Sequence, residues 1–147
     1  MPSPDFLARL PRAGAIEADG AEPAIFVGDS PGRGRGVFAG RPLHANELIE
    51  TCPVIVLSTP ETALIDGTSL YNYYFGWERD QAAIALGFGS LYNHAESPNA
   101  MYDRDYTSSV IRVRAIANIS PGDEILINYN NSKAGSSAPV WFDVRSP

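Results

Sequence analysis

Two groups of residues in this chain carry chemistry that a plain core does not need. The first is Tyr92-Asn93-His94-Ala95-Glu96-Ser97-Pro98-Asn99, entered through Gly87-Phe88-Gly89. An asparagine amide both donates and accepts, and a histidine ring offers two distinct nitrogens, so the pair suits a polar ligand. A histidine standing alone is more often a satisfied structural residue than a catalyst. With no nucleophilic serine or cysteine motif and no acidic partner fixed beside His94, the segment does not spell a hydrolase triad. The second group is Leu70-Tyr71-Asn72-Tyr73-Tyr74-Phe75-Gly76-Trp77, with five aromatic residues in eight positions. One buried strand face does not require so many rings. The surplus reads either as an amphipathic rim or as the wall of a slot for an alkyl-ammonium chain. Two further segments complete the set. Gly34-Arg35-Gly36-Val37-Phe38-Ala39 has a glycine pair that lets backbone approach a ligand closely, although such pairs also serve plain tight turns. Gly122-Asp123-Glu124-Ile125-Leu126-Ile127-Asn128-Tyr129 leaves a Pro-Gly turn and ends in a phenol.

Short elements must position these groups. Ala24 to Val27 reads as a compact strand, Asp29 to Gly36 as a glycine-rich turn, and Val37 to Ala39 as a second strand. Leu48 to Leu57 reads as a strand interrupted at Pro53, where a ladder donor is missing. Thr59-Pro60-Glu61-Thr62 signals a helix start, with proline near the first turn, so Glu61 to Asp66 reads as a short helix. Leu70 to Trp77 is strand-like, and Gln81 to Phe88 is an apolar run ending in glycines. Between Ser109 and Ile116, Val110, Arg112 and Arg114 alternate with Ile111, Val113 and Ala115, which predicts a strand with one buried face. Ser120 to Asp123 is a turn, and Glu124 to Tyr129 the last strand. Asp103 and Asp105, with Glu96 nearby in sequence, read either as a solvated loop or as an acidic docking edge. Many short strands with little helix make a mainly β domain.

The chain is 147 residues long, 44% apolar and 19% charged, which fits one globular domain. Its formal net charge of −6 argues against a phosphate-binding surface for nucleic acid and suits a basic partner. One cysteine, Cys52, and two histidines, His44 and His94, provide neither a disulfide nor a zinc-ligand cluster. No apolar run reaches the ~18 residues of a membrane span, and the first residues lack a signal-peptide pattern. These features place the protein in a reducing compartment, read as the cytoplasm. Residues 1–22 read as a frayed N-terminal extension, 23–142 as the domain and 143–147 as a tail. Residues 130–138 read as a flexible loop leading to Trp141-Phe142.

The four segments, in this order, resemble the SET domain of S-adenosylmethionine-dependent protein lysine methyltransferases. Gly34-Arg35-Gly36-Val37-Phe38-Ala39 matches the opening Gly-x-Gly motif, and the aromatic run around Tyr73 the second motif. Tyr92 to Asn99 matches the Asn-His-Ser-x-x-Pro-Asn signature, and Gly122-Asp123-Glu124 through Tyr129 the closing segment. In size and in Ala85-Leu86-Gly87-Phe88-Gly89, the chain is most similar to the minimal SET proteins of chlorella viruses and bacteria.

The resemblance implies a β-clip fold with a knot-like C-terminal crossing. It implies that Gly34, Arg35 and Gly36 hold the methionine end of S-adenosylmethionine through their backbone. Asn93 would bond the cofactor's ammonium, His94 would meet the adenine largely through its backbone, and Trp141 or Phe142 would stack on that ring. Tyr129 would be the catalytic tyrosine, Tyr73 would line the lysine channel, and no metal would take part. The chain has no zinc-bound C-terminal module to close that channel, so Trp141-Phe142, a second subunit or the substrate would close it. A homodimer is carried over from the viral relative. The implied substrate is a lysine in a flexible basic segment, on chromatin if the target is a histone. Departures from the family pattern are Ala95 in place of serine, Asn128 in place of aspartate and Arg35 in place of an aromatic residue. They motivate an alternative, a SET-like binding module with little turnover. A third reading is a small-molecule or small-peptide methyltransferase.

Overall fold

The computed structural model describes residues 23–130. The N-terminal extension, Trp141, Phe142, most of the 130–138 loop and the 143–147 tail lie outside the described residues.

The domain is mainly β. Strands β1 (Ile25–Ser30) and β2 (Gly34–Ala39) form an antiparallel hairpin. The glycine-rich stretch read as a long turn is only a three-residue loop. Gly32 at φ 76° and Gly34 at φ 77° supply the left-handed backbone that the reversal needs, so both strands extend into it. A five-stranded antiparallel sheet has the order β4-β5-β3-β8-β7. Its members are β3 (Leu48–Leu57), β4 (Tyr74–Gly76), β5 (Ala82–Ala85), β7 (Ala100–Asp105) and β8 (Val110–Ala115). A third sheet pairs β6 (Asn93–His94) in parallel with β9 (Leu126–Ile127).

Pro53 does not interrupt β3; it marks a change of partner. Leu48 to Pro53 pair with β8, and Val54 to Leu57 pair with β5 on the other side. A residue without an N–H is tolerated where one ladder hands over to the next. The aromatic run is not one strand. Thr68 caps a 3-10 turn at Ser69–Asn72 by accepting from the Leu70 amide, and only Tyr74 to Gly76 become strand. Helix α1 (Thr59–Ile65) starts two residues early, on a capping box between Ser58 and Glu61.

Strand β8 alternates as expected, with Ile111, Val113 and Ala115 buried. They join Val37, Cys52, Tyr92, Tyr102, Ile125 and Ile127 in one core. Strand β7 has no counterpart in the sequence reading. Its two acids share one partner: Arg112 on β8 pairs with Asp105 at 3.0 Å and Asp103 at 3.7 Å. No helix among the described residues is long and apolar enough to cross a membrane.

Candidate active site

The parallel pairing of β6 and β9 joins segments more than thirty residues apart. Asn93 lies opposite Leu126 and His94 opposite Ile127. The last segment, Glu124 to Tyr129, is strand only at its centre, because Asn99 takes the place of a strand partner. Its side-chain oxygen accepts the Leu126 amide at 2.8 Å, and its Nδ2 donates to the Glu124 carbonyl at 2.9 Å. That is the physical use of the Pro-Asn pair. Upstream, the same segment bridges to β2: the Ala39 amide donates to Asp123 and the Ile125 amide to Val37. Three of the four sequence motifs therefore meet along one seam.

Glu124 sits at the middle of that seam. Its carboxylate accepts from Arg33 at 2.6 Å, from the Ser30 hydroxyl at 3.0 Å and from Asn93 Nδ2 at 2.7 Å. Asn93 Nδ2 also donates to the Arg35 carbonyl at 3.0 Å. Both amide hydrogens of Asn93 thus have partners within the protein, and its Oδ1 is left as an acceptor. Gly36 is glycine because nothing larger fits: a Cβ there would overlap Glu124 Oε1 and stand 2.9 Å from Asn93 Nδ2. Arg35 faces solvent with its side chain and presents its carbonyl inward. Gly34, at the mouth of the hairpin, has open space around it.

His94 is buried, 6% exposed, and its ring serves the fold. Nδ1 accepts the Tyr129 amide at 3.0 Å, which fixes the neutral tautomer with its proton on Nε2. Burial lowers its pKa; Glu96 opposes the shift and Arg33 assists it. The His94 carbonyl accepts from Arg33 at 3.2 Å. Ala95 donates its amide to Ile127, and Asn128 is buried with its side-chain oxygen on the Asn130 amide.

Tyr129 closes the other side. Its hydroxyl donates to the Tyr92 carbonyl at 2.6 Å, and its carbonyl accepts the Tyr102 hydroxyl at 2.9 Å. Burial raises the Tyr129 phenol above its ordinary range, with Arg33 opposing, so at neutral pH it is a hydroxyl and not a phenolate. In front of it lies a cavity of about 220 Å³ lined by Tyr73, Phe75, Tyr92, Tyr102, Arg104 and Tyr129, among others. That is small for a drug-sized ligand and large enough for one slender chain. Two of its lining rings pack on each other: Phe75 meets Tyr102 edge-on with centroids 4.9 Å apart. The Arg104 guanidinium lies over the Tyr102 ring, 5.1 Å from its centroid.

The structure gathers Gly34, Arg35, Gly36, Asn93 and His94 on one side and Tyr73 and Tyr129 on the other. Sequence reading quoted Glu124 without a role and passed over Arg33 and Tyr102. The alternation of Ala100, Tyr102 and Arg104 with Met101, Asp103 and Asp105 would have revealed β7 and its Tyr102.

Residues 34–130 match the family model of the SET domain. A Schizosaccharomyces pombe histone-lysine N-methyltransferase, specific for H3 lysine-37, is 30% identical over 120 residues, covering 81% of this chain and 77% of the relative. The crystal structure of a Plasmodium falciparum protein provisionally named a histone methyltransferase matches with a TM-score of 0.59 and 34% identity, over 74% of this chain and 95% of that one. A Chaetomium thermophilum Polycomb Repressive Complex 2 structure in an autoinhibited conformation, bound to S-adenosylmethionine, matches with a TM-score of 0.63. That match is 24% identical, spans 76% of this chain and only 16% of the other, and speaks for the fold alone.

Proposed function

The chain belongs to the SET-domain family and is a protein-lysine methyltransferase that uses S-adenosylmethionine; we propose that its acceptor is a lysine in a flexible basic segment, histone-like in character. The observation that carries the site assignment is the pairing of a neutral acceptor, Asn93 Oδ1, with an aromatic cavity backed by the Tyr129 hydroxyl.

In this reading Asn93 Oδ1 accepts from the ammonium of the methyl donor, and the backbone from Gly34 to Gly36 lies along its methionine end. The donor set fits: an amide whose hydrogens are both engaged can offer only its oxygen. His94 contributes its main chain beside the adenine, and Trp141 or Phe142, outside the described residues, would stack on that ring. When bound, S-adenosylmethionine supplies a methyl group on a sulfonium sulfur that an amine can displace in line. The protein's residues do the rest. Tyr73 and Tyr129 wall a slot that strips water from the entering amine. Desolvation favours the neutral amine over the ammonium, whose unperturbed pKa is about 10.4. Only the neutral form has a lone pair to attack. Tyr129, held as a hydroxyl, orients and does not abstract the proton. Alignment in a narrow slot can contribute several kcal/mol to the barrier.

The net charge of −6 supports a basic substrate. The histone specificity of the fission-yeast relative supports chromatin as one setting and the nucleus as one location. A homodimer is the oligomeric form that the family resemblance favours. Calorimetric titration of S-adenosylmethionine, followed by peptide competition, tests this reading. Saturable binding that Asn93→Ala weakens, with basic lysine peptides outcompeting free lysine, is expected. Tight binding without transfer to any lysine would favour the binding module that Ala95 and Asn128 suggest.

A further inference from the structure

We propose that Glu50 is a positioning residue for methyl transfer, fixing Tyr92 and, through the Tyr92 carbonyl, the Tyr129 hydroxyl. The proposal rests on the methyltransferase reading of the same site. Glu50 stands on β3 and is not among the residues that line the cavity.

Its two carboxylate oxygens grip the two ends of one short turn. Oε1 accepts the Phe88 amide at 2.8 Å, and Oε2 accepts the Tyr92 hydroxyl at 2.7 Å. Between those points the chain makes the 3-10 turn Gly89–Leu91. The turn has little freedom on the side facing β3. Gly87 is at φ +65°, and a Cβ there would stand 2.5 Å from Glu50 Oε1. A Cβ on Gly89 would stand 2.8 Å from the sulfur of Cys52, two residues along β3. Tyr92 is 1% exposed, so its ring cannot swing to find another acceptor. The same residue's carbonyl receives the Tyr129 hydroxyl at 2.6 Å. A bond to a charged acceptor holds geometry more firmly than a neutral one. The chain of contacts therefore runs from a carboxylate outside the cavity to the hydroxyl at its back wall.

Glu50→Gln keeps the shape and removes the charge. Its amide group can hold the Phe88 amide while turning the Tyr92 phenol from donor to acceptor. The expected result is a fall in kcat of about tenfold with both KM values within about twofold. In the Tyr129→Phe background the same change should cost less than about twofold, since the group it positions is already gone. In protein carrying 13C at the tyrosine Cζ, the Tyr129 resonance should move in Glu50→Gln without any ligand present. An equal loss of kcat in both backgrounds, a loss in KM alone, or an unmoved Tyr129 resonance would overturn the proposal. If Glu50→Gln fails to fold, Tyr92→Phe keeps the Phe88 clasp and takes the same measurements with the same expectations. A wild-type protein that transfers no methyl group overturns the methyltransferase reading instead, and the Tyr129 resonance then decides the role of Glu50.

Discussion

Asn93 engages both hydrogens of its amide within the protein, one on the Arg35 carbonyl and one on Glu124. That fixes which atom faces a ligand, a matter that residue type alone leaves open. An oxygen presented this way accepts a charged donor well, and such a bond contributes about 1.5–3 kcal/mol. Asn93→Ala should therefore weaken S-adenosylmethionine binding by at least about tenfold in a calorimetric titration. Asn93→Asp serves as the control, because it keeps the acceptor and repels Glu124. Tyr129 plays a different part. Its phenol, raised by burial, stays protonated and donates to the Tyr92 carbonyl. Tyr129→Phe should lower kcat by about tenfold or more and leave donor binding within about twofold. An equal loss in both would show that Tyr129 shapes the donor site and not the transfer step.

At the scale of elements, the site exists because β2, β6 and β9 share one seam, and Gly36 is its tightest point. Gly36→Ala would push a methyl group into Glu124 and Asn93. It should destabilise the fold by about 1–3 kcal/mol and cost donor affinity as well. Gly34→Ala meets no neighbour and pays only for its left-handed backbone, so it should cost about 1 kcal/mol and spare affinity. Thermal melts and donor titrations on the two variants separate these outcomes. Much of this was legible in the sequence. The alternation around Val113 marked β8, the Thr59-Pro60-Glu61-Thr62 signal marked α1, and the four motifs marked the seam. What escaped was non-local. Nothing between Ser97 and Asp105 announces that Asn99 replaces a strand partner, since that depends on Glu124 and Leu126 arriving beside it. Strand β7 is poorly marked because Asp103, Arg104 and Asp105 place three charges in a row and blur its period-two pattern. The aromatic run was split by Thr68, a cap that acts on two backbone groups and leaves the hydropathy pattern unchanged.

For the whole molecule, the ring that ties β6 to the end of β9 is also a titration site. Burial holds the His94 pKa below its ordinary value, so the unfolded chain binds its proton first. His94 therefore contributes stability that is complete above about pH 6.5 and declines as the pH falls below it. The partly exposed carboxylates Glu47 and Asp105 are held below their ordinary values by the Arg41 side chain and the Ser108 amide, respectively. Their contributions are lost only at lower pH, in the carboxylate range. Melting temperature should thus begin to fall as the pH drops below about 6.5, and His94→Gln should flatten that slope. The slope's persistence in the variant would place its origin elsewhere. In the proposed reading the seam and the cavity serve one event, the transfer of a methyl group to a lysine nitrogen. Its most direct measurement is mass spectrometry of a basic lysine-containing peptide after incubation with S-adenosylmethionine and the wild-type protein or Tyr129→Phe. The account predicts methyl-sized mass increments, located on lysine by fragmentation, with the wild-type protein and a sharp loss with the variant. Increments on another residue, or equal increments with both proteins, would contradict it.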